Sequence, residues 1–245
     1  KRVSMDPSVE PIPLTRLILM FIPVLVVILI QVKWAMPTKP ALYGMGRMVL
    51  QLLLIGYILL FIFETEHGIV VLLVLVTMIA VSSWIALRPI ASQRSHLYLV
   101  TLASISIAGL PILFLGTKWV LEITPWYTPR YVIPLAGMIF ANSMNSISIA
   151  AERLTAELDG GSNHDDARRK AFAASLIPLV NSLMAVGLVT IPGIMTGQVL
   201  AGISPLIAAR YQIMMMCMLF GSSGIATACF LYWSRTPKSP KESKI

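Results

Sequence analysis

The chain has 245 residues, of which 57% are hydrophobic and only 12% are charged. In soluble domains about a quarter of all residues are charged, so this composition excludes a large water-soluble domain and indicates a membrane protein. The formal net charge is +8. Basic residues beside apolar spans act as topology signals and contact anionic lipid headgroups, so we expect membrane lipids and no nucleic acid as partners.

Seven apolar stretches are long enough to cross a bilayer, which takes roughly 20 residues of helix. The predicted spans are 14–33, 42–63, 69–88, 97–117, 131–150, 173–191 and 211–233. The sixth is interrupted by Pro178, Asn181 and Pro192, and the segment 193–209 that follows it is compatible with a re-entrant or interfacial helix. The sequence therefore predicts an all-α polytopic membrane protein with about seven transmembrane helices.

The distribution of Lys and Arg predicts the orientation of these spans. Alternate connections hold twelve basic residues on one side of the membrane and six on the other, and Arg47 lies within a span. Because cytoplasmic loops carry the excess, we expect an external N-terminus and a cytoplasmic C-terminus in the inner (plasma) membrane. The connection 118–130, with Trp119, Trp126 and Tyr127, is then expected at the external interface, where aromatic rings lie at headgroup depth.

Arg47 and Gln51 form a polar pair in the second span. They are one helical turn apart and so share a face. An arginine near the end of a span can extend its charged head to the cytoplasmic interface. A structural role and a contact with substrate both stay open for this pair.

The fifth span is the most unusual, because polar side chains run through IPLAGMIFANSMNSISIAAER at 133–153. An unpartnered amide in hydrocarbon costs on the order of a few kcal/mol, so such residues face a neighbouring helix or a water-filled cavity. Two interpretations stay open: a path for a polar substrate, or interhelical hydrogen bonds worth about 0.6 kcal/mol each. The candidate path residues in the fifth and sixth spans are Met138, Asn142, Met144, Asn145, Ser146, Asn181, Ser182 and Met184.

No catalytic or metal-binding constellation is evident. The phosphate-binding pattern GxxxxGK[ST] is absent, and the three histidines lie in three different connections. We therefore expect no cofactor in this chain, and any ATP energy must come from another subunit. The chain holds 14 methionines, three of them consecutive at 214–216. Thioethers favour soft ions, but consecutive methionines point in different directions and more often fill irregular packing, so the metal ligands stay unknown.

Three blocks of the sequence resemble the FetB-type permeases, which are membrane subunits of a small ABC transporter class linked to iron export in bacteria. Plant relatives of this family are associated with aluminium tolerance. The order and spacing of the blocks make the resemblance specific, and Tyr211 and Gln212 are among the residues that match. The blocks are GRMVLQLLLIGYILLFIF at 46–63, VIPLAGMIFANSMNSISIAAERL at 132–154 and SLIPLVNSLMAVGLVTIPGIMTGQVLAGISPLIAARYQIMMM at 175–216.

The resemblance implies a transport subunit and not an enzyme. It implies a single transmembrane permease domain over 1–245, a homodimer, and a separate cytoplasmic ABC ATPase that carries ATP and Mg²⁺. The exported cargo would be a metal ion, with iron as the first choice, moved by alternating access. The residues implied at the ATPase-coupling surface are Glu152, Arg153, Arg168 and Arg169.

The cytoplasmic coupling loop at 151–172 departs from the family, because the corresponding segment is longer there. Either the loop is shortened here or residues are missing from the sequence, and the good match elsewhere favours the second explanation. The residues alone leave two roles open for this loop, a docking site for a cytoplasmic partner or a solvated linker, and DGGSN at 159–163 is typical of flexible chain.

Two other functions stay open. One is a permease for a small polar organic solute such as a nucleotide sugar, and the other is a non-transporting membrane scaffold that recruits a cytoplasmic ATPase. The spans contain no Asp or Glu, which counts against tight binding of Fe(II), although weak binding suits release.

Overall fold

The computed structural model of the chain describes residues 13–63 and 67–234. Contacts divide the chain into two compact units, Lys1–Glu64 and Thr65–Ile245. The single permease domain over the whole chain stays a prediction. The polar N-terminal segment and the basic C-terminal residues from Arg235 onward, which contribute to the predicted orientation, lie outside the described residues.

The first unit consists of predominantly apolar helices. Helix α1 (Leu14–Leu17), a 3₁₀ turn and α2 (Phe21–Lys33) follow each other directly, and α3 (Lys39–Phe63) comes after a short turn. No residue of α2 is buried within the chain, as expected for a helix whose surroundings are lipid or another protein. On α3, Arg47 is half-buried and Gln51 is exposed.

The second unit is built around one long central helix. Helix α4 (Gly68–Ala86) and α5 (Arg94–Phe114) precede it, and α5 continues into a π-helical turn. The central helix, α6, packs against α4, α5 and the two long helices that follow it. The elements from the centre to the end of the unit are α6 (Pro129–Asp159), α7 (His164–Ala185), α8 (Gly193–Leu200) and α9 (Pro205–Trp233).

Within the described part of the chain, six helices are long and apolar enough to cross a membrane. They are Thr15–Lys33, Lys39–Phe63, Gly68–Ala86, Ala91–Val120, Pro129–Asp159 and Pro205–Trp233. This confirms the all-α polytopic fold, but the helix at the sixth predicted span is different. Helix α7 carries five charged residues near its start, and its apolar part at 171–185 is about 22 Å long, which is shorter than a hydrocarbon core of roughly 30 Å.

The chain turns sharply between α7 and α8, where the sequence predicted one span as far as 191. Gly187 adopts a φ of +83°, a left-handed conformation that favours glycine. Its N–H donates to the Thr190 carbonyl at 2.9 Å, and Val186 and Thr190 form an isolated β-bridge. Pro192 then precedes α8, which is the separate short helix expected after this point.

The coupling segment at 151–172 is a helical hairpin, and the stretch typical of flexible chain forms little more than its short turn. Helix α6 continues to Asp159, and only four residues separate it from the start of α7. The intervening turn is closed by Ser162, whose N–H donates to the Glu157 carbonyl at 3.0 Å, and by Asn163, whose side chain caps α7. The helices persist here because Leu154, Ala167 and other small or apolar residues stay buried at helical spacing.

The aromatic connection between α5 and α6 is ordered by ring contacts. The Trp126 ring lies edge-on to Phe114, with 5.4 Å between the ring centroids, and edge-on to Tyr127 at 5.9 Å. Trp119, on the preceding turn, is exposed. The external position of this connection, and the orientation of the chain, stay predictions.

Gly109 allows α5 and α6 to approach closely. A Cβ atom at this position would lie 2.7 Å from Cε1 of Phe140, a fully buried ring that cannot move aside. We expect Gly109→Ala to lower the free energy of unfolding by about 1–3 kcal/mol. Gly224→Ala, where a Cβ meets nothing within 4 Å, should leave stability unchanged or raise it. Equal melting temperatures of the two purified variants in detergent would contradict this close packing.

Candidate functional site

A cavity of about 430 Å³ lies in the second unit where α7 ends. A helix that stops at membrane depth leaves backbone groups without helical partners, which is tolerated where they line a cavity. The walls come from α6, the end of α7, the turn 186–192, the start of α8 and α9. The lining residues are Met138, Asn142, Leu179, Ser182, Val186, Thr190, Pro192, Gly193, Ile194, Gln212, Met215, Met216 and Leu219.

Three of the predicted path residues meet in this cavity. Met138 and Asn142 lie one turn apart on α6, and Ser182 reaches the cavity from α7. The Asn142 side-chain nitrogen donates to the Met138 carbonyl at 2.9 Å, and the Ser182 hydroxyl donates to the Pro178 carbonyl at 2.9 Å. Because the amide nitrogen of Asn142 is satisfied within its own helix, its oxygen is the group that remains for a ligand.

The other five predicted path residues do not line the cavity. Asn145 and Asn181 are exposed on the surface of the unit, and 76% of Met184 is exposed. Met144 is half-buried and Ser146 is buried, and neither contributes to the cavity wall. The separation follows from helix geometry, because consecutive residues such as Asn181 and Ser182 point about 100° apart.

One serine of the polar fifth span takes the structural role that the sequence also allowed. The Ser148 hydroxyl on α6 donates to the Ala86 carbonyl at the end of α4, at 2.8 Å. This is an interhelical hydrogen bond of the kind that holds membrane helices together. The polar span therefore combines cavity-lining residues and packing residues.

Gln212 on α9 is a cavity residue to which the sequence assigned no role. Its side chain is only 7% exposed, and its oxygen Oε1 has no hydrogen-bond partner among the described residues. A buried polar atom without a partner costs about 1–3 kcal/mol, so a ligand or water that reached this oxygen would be stabilised. The signal in the sequence was weak, because Gln212 falls at the start of a predicted span, where a polar residue is unremarkable.

The cavity is lined mainly by apolar side chains, has a few polar groups and carries no ionisable side chain. Its donors and acceptors are the amides of Asn142 and Gln212, hydroxyls, backbone groups and the thioethers of Met138, Met215 and Met216. Among the described residues, no group of three His, Cys, Asp or Glu side chains comes together to hold a metal ion. Such a lining is suited to a weakly held cation or to a neutral polar solute.

The predicted coupling residues lie on the helical hairpin. Glu152 and Arg153 are exposed near the end of α6, and Arg168 and Arg169 lie on the first turns of α7. Arg168 pairs with Asp165 at 3.1 Å and Arg169 with Asp166 at 3.9 Å. In the part of the chain that the structure describes, Glu152 forms no ion pair.

Glu157 joins the two helices of the hairpin and was not predicted. Its carboxylate pairs with Arg153 one turn earlier on α6 and with Lys170 Nζ on α7 at 2.6 Å. It also accepts a hydrogen bond from the Ser162 hydroxyl at 2.9 Å. The i,i+4 spacing of Arg153 and Glu157 was the available sequence signal. The hairpin therefore links α6 and α7 mechanically at the end that carries the coupling residues.

Comparison with known proteins identifies relatives over most of the chain. The UPF0014 membrane protein slr1647 of Synechocystis sp. is 37% identical over 207 residues, covering 78% of this chain and 79% of that protein. The Probable iron export permease protein FetB of Escherichia coli is 30% identical over 215 residues, covering 80% and 81%. Protein ALUMINUM SENSITIVE 3 of Arabidopsis thaliana is 29% identical over 209 residues, covering 78% and 75%.

No solved structure matches the chain significantly. The sequence signature described as "Uncharacterised protein family (UPF0014)" matches residues 14–164 and 161–237. These segments contain all six helices that are long enough to cross a membrane, and also the cavity and the hairpin. The resemblance to the FetB-type permeases is confirmed, and the chain belongs to the UPF0014 family of membrane proteins.

Proposed function

We propose that this chain is the membrane permease subunit of an ATP-driven exporter whose cargo is a metal ion, with iron as the first candidate. The observation that carries the proposal is the uncharged cavity at the break between α7 and α8, with a few amide, hydroxyl and thioether groups in its lining. The relative from Escherichia coli, whose name gives it as a probable iron export permease, supports the choice of cargo. The setting is the inner (plasma) membrane, with two copies of the permease.

The cavity has the chemistry of a transient cation site. Amide oxygens present the negative ends of their dipoles, and thioethers add polarisable ligands. Transport requires binding that is favourable enough for entry and weak enough for release. A lining without carboxylates meets the second requirement, because no fixed negative charge retains the ion.

In this proposal, the hairpin couples ATP hydrolysis by the ATPase to movement of the cavity wall. Two copies of a cytoplasmic ATPase, which hold ATP and Mg²⁺, contact Glu152, Arg153, Arg168 and Arg169. Closure of the ATPases on ATP moves the hairpin and, with it, α6 and α7 as a connected pair. Ten residues of α6, about 15 Å of helix, separate Asn142 from Glu152, so a small rotation at the hairpin also changes the cavity wall.

Reversing an exposed charge on the hairpin should weaken ATPase binding without unfolding the permease. Side-chain exposure of Arg169 is 79%, and its pair with Asp166 is long, so the pair adds little stability. Two like charges that face each other across an interface, by contrast, weaken the free energy of binding by several kcal/mol. We expect Arg169→Glu to lower co-purification of the ATPase at least fivefold. Lys118→Glu, an exposed control beyond the other end of α6, should change it less than twofold, and equal capture by the two variants would contradict the docking surface.

The direct test of the function is reconstitution of the permease with its ATPase subunit in liposomes. ATP hydrolysis and ion flux are measured with Fe(II), Mn(II), Co(II), Zn(II) and Cu(I). We expect one or more of these ions to stimulate hydrolysis and to move in an ATP-dependent manner. A complex that hydrolyses ATP without any metal response would overturn the metal-export proposal.

The amides and hydroxyls of the lining also support a second candidate, a permease for a small polar organic solute. For a nucleotide sugar, they would bind the uncharged sugar and base groups, whereas the charged diphosphate has no cationic partner in the lining. Stimulation of ATP hydrolysis by such a solute, and not by metals, would favour this candidate. A complex that moves neither class of solute would favour the remaining alternative, a membrane scaffold for the ATPase.

A further inference from the structure

We propose that the cavity selects soft or borderline cations of low charge, such as Fe(II) or monovalent Cu(I), against hard trivalent ions, and that Met216 and Gln212 determine this selection. The inference rests on the proposed function and narrows its cargo to a class of ions. Three features carry it: thioethers from two helices, an unpartnered buried amide oxygen, and a lining without carboxylates.

The thioethers converge although the sequence favoured a packing role for them. Met138 on α6 and both Met215 and Met216 on α9 line the cavity, whereas the adjacent Met214 does not. Consecutive residues on a helix point about 100° apart, so two neighbours can face a wide cavity and the third cannot. Thioether sulfur is a soft ligand that favours Cu(I) and borderline ions over hard ones.

The Gln212 oxygen supplies the polar ligand. It is buried, faces no hydrogen-bond donor among the described residues, and belongs to a cavity-lining side chain. With Asn142 on α6 it supplies a second neutral amide to the lining. A cation that binds here satisfies the oxygen of Gln212 once the side chain turns it toward the cavity, which removes the cost of leaving it unpaired.

The charge of the ion is the third factor that favours divalent and monovalent cations over trivalent ones. The cost of transferring an ion out of water rises with the square of its charge, so a trivalent ion costs about twice as much as a divalent one. Carboxylates normally compensate that cost for hard ions, and the cavity has none. Dipoles and thioethers compensate only ions of lower charge, which excludes ions such as Al(III) and Fe(III).

Binding of Ag(I), a soft ion that does not change its oxidation state, tests the role of the thioethers. The permease–ATPase complex is purified with Cys217 and Cys229 replaced by serine, because free thiols bind Ag(I). We expect Met216→Leu to weaken Ag(I) binding at least tenfold in calorimetry. The matched control, Met214→Leu, should change it less than twofold, because Met214 lies outside the cavity wall. Equal effects of the two substitutions would overturn the thioether site.

The second arm uses La(III) as a hard trivalent probe. Because exposed carboxylates elsewhere also bind La(III), the readout is competition for the cavity-bound Ag(I). Fe(II), without oxygen, should displace Ag(I) from the unmodified complex and La(III) should not. Gln212→Glu keeps the shape of the side chain but adds a carboxylate, so we expect it to raise the ability of La(III) to displace Ag(I) at least tenfold. Displacement of Ag(I) from the unmodified complex by La(III) as readily as by Fe(II) would overturn the selection.

The two levels of the proposal fail in different ways. If reconstituted complex exports Fe(II) while Met216→Leu exports it as well as the unmodified chain, the function stands and the thioether selection is wrong. If no metal moves or stimulates hydrolysis, the metal-export function itself is wrong, whatever Ag(I) binding shows.

Discussion

Replacing Gln212 with leucine is expected to lower ATP-driven metal export at least tenfold while leaving assembly with the ATPase intact. The substitution removes the buried oxygen that we assign to the ion, a loss equivalent to about 1.4 kcal/mol or more. Folding should not suffer, because that oxygen has no partner in the described residues and leucine has a similar volume. Ion flux into or out of proteoliposomes and the melting temperature of the purified complex measure the two effects separately.

Gln198→Leu is the matched control for this prediction. Gln198 on α8 also has a buried oxygen without a described partner, but its side chain does not line the cavity. Export should change less than twofold in this variant. If both substitutions reduce export equally, the effect of Gln212 belongs to general packing and the assignment of its oxygen to the ion is wrong.

Gly187→Val should produce the second large effect, a loss of export of at least tenfold. The φ of +83° at Gly187 is strongly disfavoured for a β-branched residue, so the turn that forms one wall of the cavity must rearrange. No neighbouring atom lies within 4 Å of a Cβ at this position, so a Cβ clash does not contribute and we attribute the effect to the backbone. The measurement is export by reconstituted complex, normalised to the amount of assembled permease.

Asparagine at the same position separates backbone conformation from side-chain size. Asn tolerates left-handed φ values far better than Val, so Gly187→Asn should retain at least half of the export activity. Full activity in the valine variant would show that the turn after α7 does not control the cavity.

Much of the fold could be predicted because membrane spans leave a strong signal in sequence. Long apolar runs located six of the seven predicted spans correctly to within a few residues, apart from extensions of the helix ends beyond the bilayer thickness. The prediction of a single span at 173–191 was wrong because hydrophobicity alone does not locate a break between two helices. Within this apolar stretch α7 ends before Gly187, and α8 begins after Pro192. The hairpin was missed because the glycines at 160–161 suggested flexible chain, whereas buried small residues on both sides keep the helices intact.

The candidate site could be predicted only in part. The unusual polarity of the fifth span directed attention to Met138 and Asn142, and both line the cavity. Sequence spacing could not separate Ser182, which faces the cavity, from Asn181, which does not, because the rotation of α7 depends on its packing against α6 and α9. Gln212 became evident only from its burial and its unpartnered oxygen.

The most direct test of the cavity as a transport path is labelling of Asn142→Cys by a water-soluble thiol reagent that does not cross the membrane. The variant is made with Cys217 and Cys229 replaced by alanine, reconstituted with the ATPase, and labelled with and without ATP. Ile147→Cys, at a fully buried position outside the cavity wall, is the control. We predict that Asn142→Cys is labelled, that ATP changes the rate severalfold, and that Ile147→Cys stays unlabelled. An Asn142→Cys that resists the reagent in both states would contradict a water-accessible path through this cavity.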